Sequence, residues 1–431
     1  MGWYQRVELV SVLLEVRRPG FLRDCNLLWN SNNSIMANAT AIAYPHTQVA
    51  RPAAETLPWY IYLLVCGSAC IPLGVLWDIS WHSTIGRDTF WTPAHLMTYA
   101  GGLIPGLTCG WLALKTNFFG TTEERASAVT FWGFRAPLGC WVTIWGTFTM
   151  LVSAPFDNWW HDAYGLDVQI LSPPHSLLAL GMFAVNVGVL LLMLSLQNRS
   201  GVETPHAKLL FIFTGGVLLL MSAIFLTEES YPNSQHSGRF YIHSAITYPA
   251  YLIVASRASK MRWPATIVAG VYMALTLLMG WILPLFHGEP KLAPIYNPLT
   301  HMAPPPFPLL LIVPAFALDL IMHRLGNVRG WWRNSLLAAL LAVVFTLLFV
   351  GTQWKFSEFL LTPAADNWFF IGNRYWWYFS HPGDWMHEFW HNNNFPKDPF
   401  TLHKFGIALL LAFLSTRVGL AFGGWMARVK R

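Results

Sequence analysis

The chain has 431 residues, 54% of them apolar and only 11% charged, against about 25% charged in ordinary soluble domains. With a mean hydropathy of +0.41, that deficit argues against a soluble protein, and the net charge of +6, scattered in short basic clusters, argues against a nucleic-acid partner. Five cysteines (Cys25, Cys66, Cys70, Cys109, Cys140) form no CxxC or CxxCH pattern, so zinc-ribbon, iron–sulfur and c-type haem sites have no signal.

Residues 1–56 mix Arg17-Arg18 with leucine runs. The stretch is too charged to span and lacks a clean signal-peptide pattern; Met36 offers an alternative start. It is expected to be a mobile cytoplasmic tail. Ten apolar segments follow, at 57–76, 94–114, 127–153, 173–197, 208–226, 241–257, 263–285, 307–323, 334–352 and 404–425. Apolar runs of about 18–25 residues in lipid must satisfy their backbone internally. The expected fold is therefore all-α, a polytopic transmembrane helical bundle of about ten spans arranged as five hairpins. Lys115 and Arg125, Arg199 and Lys208, Arg257, Lys260 and Arg262, Arg324, Arg329 and Arg333, and Arg428, Lys430 and Arg431 fall in alternate loops. The positive-inside rule puts that side, and both termini, in the cytoplasm of a bacterial or archaeal inner membrane. Residues 57–200 carry two Asp/His motifs, and 201–431 add helices and a long outward loop, 353–403.

The motifs lie in the outward turns. Asp78 and His82 are four apart, so one helix face presents both. Thr92 and Pro93 read as the N-cap and first position of the next helix, which places His95 in its first turn, looking back at the pair. One carboxylate and two imidazoles make a three-ligand metal site with open positions. A lone histidine near a helix end is ordinarily satisfied by water and headgroups, but here the layout recurs. Asp157, His161 and His175 repeat Asp-x3-His-x12-His with thirteen residues in the second gap. The third turn carries His236 and His243. The fourth has His287 and His301, again separated by thirteen residues but without a carboxylate, Leu283 standing at the aspartate's position. The fifth holds His381, Asp384, His387, His391 and His403. Such donors tolerate copper, zinc or iron. Arg87 and Asp88 are expected as outer partners that orient an imidazole or balance charge. Trp77, Trp81, Trp91, Trp159 and Trp160 suit interfacial anchoring in lipid; the sharper expectation has Trp81, Trp91 and Trp160 walling a pocket for an apolar substrate.

Asp78, Trp81-His82, Thr84-Ile85, Arg87-Asp88-Thr89, Thr92-Pro93 and His95 resemble the signature of the C subunit of copper membrane monooxygenases, the family of particulate methane monooxygenase and ammonia monooxygenase. The resemblance covers roughly residues 60–195. It includes the second motif, where the family has Asn in place of Asp157. It implies copper at both sites, with Asp78, His82 and His95 catalytic, and O2-dependent oxidation of methane, ammonia or a short hydrocarbon. It also implies a cupredoxin-bearing partner subunit and an external reductant such as quinol, since the chain has no flavin or nucleotide fingerprint. Phe307-Pro308, Pro314 and Asp319 loosely resemble a proline-punctuated helix of the family's A subunit; the alternative is an extension of the C-type half. The reading from a different class is a non-catalytic membrane metalloprotein that handles copper or zinc.

Overall fold

The computed structural model describes residues 57–165, 172–199, 205–326, 328, 330–374, 376–390 and 398–430. The expected tail 1–56, Arg329, Arg431 and His391 lie outside them. Ten long helices follow in order: α1 Trp59–Thr84, α2 Pro93–Phe118, α3 Leu138–Tyr164, α4 Pro173–Arg199, α5 Pro205–Ile224, α6 Gly238–Ala258, α7 Pro264–Ile282, α8 Ile312–Leu325, α9 Trp331–Leu360 and α10 Leu402–Met426. Proline opens α2, α4, α5 and α7, a position where its missing N–H costs no helical hydrogen bond. Among the described residues α1, α3, α4, α5, α7, α9 and α10 are long and apolar enough to cross a membrane. The chain is thus an all-helical bundle and an integral membrane protein.

Two of the expected segments are displaced. The segment expected at 127–153 begins later, because Val129–Phe131 and Phe134–Ala136 form an antiparallel hairpin closed at Gly133. Its aromatic residues have the hydropathy of a span but the pairing of a strand. The segment expected from 307 becomes helical only at Ile312. Before it, Pro304, Pro305, Pro306 and Pro308 hold the chain non-helical, since proline can donate no helical hydrogen bond. This stretch is buried. Its amides are met by side chains: Ala303 N–H by Thr84 Oγ1 (2.7 Å), Leu309 N–H by Tyr272 Oη (3.2 Å) and Leu310 N–H by Gln353 Oε1 (2.9 Å).

Helices α1 with α2 and α3 with α4 pack as neighbours, but α5 lies chiefly against α4 and α7, and α6 against α10. The α3–α4 contact is close because small residues face each other at seven-residue spacing. A Cβ at Gly146 would lie 2.7 Å from Val185 N, and one at Gly181 would lie 2.8 Å from Gly146 O. Lipid supplies no hydrophobic drive between helices, so backbone approach of this kind carries their association.

Candidate metal centre

Helix α1 runs past the expected end of its apolar segment to Thr84, carrying Asp78 and His82 on its last turns. Pro93 starts α2 as expected. Thr92 does not cap that helix; its hydroxyl accepts from Thr89 N–H at 2.9 Å and shapes the connecting loop instead. The three donors converge. Asp78, His82 and His95 each offer a ligand atom, all within 4.8 Å of one another. His95 Nε2 is 3.0 Å from Asp78 Oδ1, and His82 Nε2 is 3.8 Å from Asp78 Oδ2. His95 Nδ1 donates to Thr89 O at 2.9 Å, which turns Nε2 toward the carboxylates. Asp78 Oδ1 is sealed from solvent without a well-aligned donor. An imidazole nitrogen and an unmatched carboxylate oxygen meeting this way need a cation between them, a proton or a metal ion. The donor set suits a divalent transition metal.

Asp88 sits on the same side. Its Oδ2 lies 3.5 Å from His82 Nε2 and 3.5 Å from His95 Nε2. Arg87 is exposed, and its carbonyl accepts from Trp81 Nε1 at 3.0 Å. Trp81 therefore pins the loop, and it also packs with Trp77 against Ile85, Leu283 and Met302. Two later segments clasp this end of α1: Tyr378 N–H donates to Ser83 O at 3.0 Å and Lys291 N–H to Ile85 O at 2.9 Å.

The second motif repeats the plan more openly, on the end of α3 and the start of α4. Asp157 Oδ1 lies 3.5 Å from His161 Nε2 and 3.7 Å from His175 Nδ1. His161 Nδ1 donates to Gly165 O at 3.1 Å, and His175 Nδ1 is 2.8 Å from Ser172 Oγ. Asp157 Oδ1, like Asp78 Oδ1, is sealed and has no well-aligned donor. Tyr99, one turn beyond His95 on α2, is close enough to Asp157 to feel its charge. Trp160 is half-buried, its ring 4.5 Å from Tyr164, whereas Trp91 is 72% exposed and so stands in the open rather than inside an enclosing wall.

No family model, curated protein or solved structure matches the chain.

The remaining histidines scatter. His236 is stacked between Trp354 and Phe389, each 3.6 Å away between ring centroids. His243 Nδ1 is 2.6 Å from Glu229, and His387 pairs with Asp366 at 3.5 Å. His381 stacks on Tyr296. His287 and His301 oppose each other across an isolated antiparallel bridge. A carboxylate does reach them, from Glu289, 3.2 Å from His287; sought one helical turn before the histidine, it lies two residues after it. Asp319 is 1% exposed. It accepts from Ser256 Oγ, Ala265 N–H, Thr266 N–H and Thr266 Oγ1 at 2.6–3.2 Å. It thus caps the first turn of α7 and ties it to α6 and α8, every donor around it satisfied internally.

Proposed function

We propose that this chain is the membrane subunit of a copper-dependent monooxygenase, with copper held by Asp78, His82 and His95 and a second ion by Asp157, His161 and His175. The observation that carries the reading is the repeated orphan: in each motif an aspartate that faces two imidazoles has one oxygen sealed from solvent without a well-aligned donor. Leaving such a group unmatched costs about 1–3 kcal/mol or more. Two unrelated accidents of that kind are a poorer account than two cation sites. The motif resemblance then selects copper over zinc or iron.

Copper, when bound, supplies the one-electron chemistry for activating O2. The chain's part is positioning. Thr89 O and Gly165 O fix the ring orientations of His95 and His161, and the Trp81 hydrogen bond holds the loop that closes the first site. Zinc or iron would fit the same donors. All ten long helices span the membrane in this reading, with both termini in the cytoplasm of a prokaryotic inner membrane and both motifs on the opposite face. A cupredoxin-bearing partner and an external reductant such as quinol complete the enzyme, which takes a small, poorly polar substrate from the bilayer.

The test is oxygen-dependent oxidation by native membranes containing the chain, offered methane, ammonia and short alkanes. Product formation that disappears with His82→Ala is expected. Copper retained at both motifs without oxidation of any of them would instead mark a metal-handling membrane protein.

A further inference from the structure

We infer that Asp88 is a fourth metal ligand of the first site rather than an outer partner of its histidines. The inference rests on the metal reading of that site and adds a donor to it.

Position comes first. A carboxylate that orients a ligating histidine bonds the ring nitrogen facing away from the metal. For His95 that nitrogen is Nδ1, and Thr89 O already occupies it at 2.9 Å. Asp88 approaches the other side: its Oδ2 faces Nε2 of His95 and Nε2 of His82, the same atoms that face Asp78.

Distance comes second. At 3.5 Å from each nitrogen, Asp88 Oδ2 is beyond hydrogen-bond range, which ends near about 3.2 Å. It stands equally far from both without bonding either. Donors bound about 2.0–2.2 Å from one tetrahedral ion lie roughly 3.3–3.6 Å apart. The Asp88 separations therefore match two edges of a coordination polyhedron.

The loop explains how a residue ten positions after Asp78 returns to it. Gly86 adopts φ 78°, Trp81 Nε1 holds Arg87 O, and Thr92 Oγ1 holds Thr89 N–H. Asp88 is fixed from both sides by backbone contacts that leave its own side chain uncommitted and 35% exposed. The consequence is electrostatic. Two carboxylates and two imidazoles cancel the charge of a divalent ion, whereas one carboxylate leaves a net positive charge. Hard oxygen donors also favour the cupric over the cuprous state.

The experiment uses the full chain in lipid nanodiscs, loaded with Cu(II). Affinity is read by chelator competition and the ligand field by electron paramagnetic resonance, for the wild type and for Asp88→Asn, Asp88→Ala and His82→Ala, each carrying His161→Ala to empty the second site. The expected result is a loss of affinity of about 10–100-fold on Asp88→Ala, the range seen when even an outer partner is removed. A changed copper hyperfine splitting should accompany it, with a smaller change for Asp88→Asn, whose amide oxygen remains a weak donor. Copper binding lost in His82→Ala, with the copper spectrum unaltered in both Asp88 variants whatever their affinity, overturns the Asp88 assignment and leaves the site standing. Copper binding unaltered in His82→Ala overturns the site itself.

Discussion

Gly86 and Tyr378 touch where no larger residue fits. A Cβ on Gly86 would lie 2.6 Å from the Tyr378 hydroxyl oxygen, and Gly86 has φ 78°, a conformation that L side chains rarely adopt. Tyr378 comes from the far end of the chain, and its backbone N–H also holds Ser83 O at 3.0 Å. The C-terminal half thus sets the shape of the loop that closes the first candidate metal site.

Gly86→Ala should therefore act twice, through the left-handed backbone and through the ring. The backbone part alone is worth about 1–2 kcal/mol. The expected outcome is a folded chain with a lowered melting temperature and weakened first-site copper, read by thermal unfolding in detergent and by metal analysis. Unchanged loading would mean that the loop has no part in the site.

Asp319 gives the opposite expectation. Its two oxygens accept four hydrogen bonds in a buried position, and hydrogen bonds to a charged group are worth about 1.5–3 kcal/mol each. Asp319→Ala should cost at least about 3 kcal/mol of stability while the copper bound per folded molecule stays constant. Size-exclusion recovery after heating, followed by metal analysis of the surviving fraction, measures both. Loss of copper without loss of stability would give Asp319 the functional role that its proline-punctuated helix suggests.

Much of the first site is legible from sequence because its geometry is local. Asp78 and His82 share a helix face by spacing, and Pro93 announces the next helix. What is not legible depends on non-local contact or on irregular backbone. The clasp of Tyr378 and Lys291 on α1 joins segments more than two hundred residues apart, and the side of His95 that Asp88 faces, though set by Thr89 O only six residues away, depends on an irregular loop with no periodicity to read. The hairpin at 129–136 hid inside an apolar run because Phe131, Trp132 and Phe134 raise hydropathy whether they lie in a strand or in a span. Glu289 was missed because its histidine sits on a bridge, where two residues, not four, bring side chains to one face.

At the second site, Asp157 faces both histidines at 3.5 and 3.7 Å. Asp157→Asn removes a full charge opposite a divalent ion while keeping the shape. In a His82→Ala background this should lower copper affinity by about tenfold or more, since even outer partners matter by that much. Equal affinity in the two proteins would reduce Asp157 to a spectator.

Asp398 supplies a pH dependence outside the spans. Partial burial pushes its carboxyl up, but hydrogen bonds from Lys404 and the Arg239 N–H, together with the charges of both residues, outweigh burial and hold it below the ordinary value. A depressed folded-state pKa contributes stability that is present above the unfolded value and lost as the pH falls through the folded one. The tie between α6 and the start of α10 should therefore persist at neutral pH and loosen below about pH 4, near the unfolded pKa of Asp. Asp398→Asn should flatten the acid limb of the stability profile. A profile identical to that of the wild type would remove this ion pair from the account.

Two Asp/His motifs that bind copper independently should be visible in the number of copper ions per chain. Purified protein in nanodiscs, reconstituted with Cu(II), desalted and measured by mass spectrometry, is compared with His82→Ala, His161→Ala and the double variant. Two copper ions are expected in the wild type, one in each single variant and none in the double. A wild type that holds no more copper than the double variant would contradict copper binding at the two motifs.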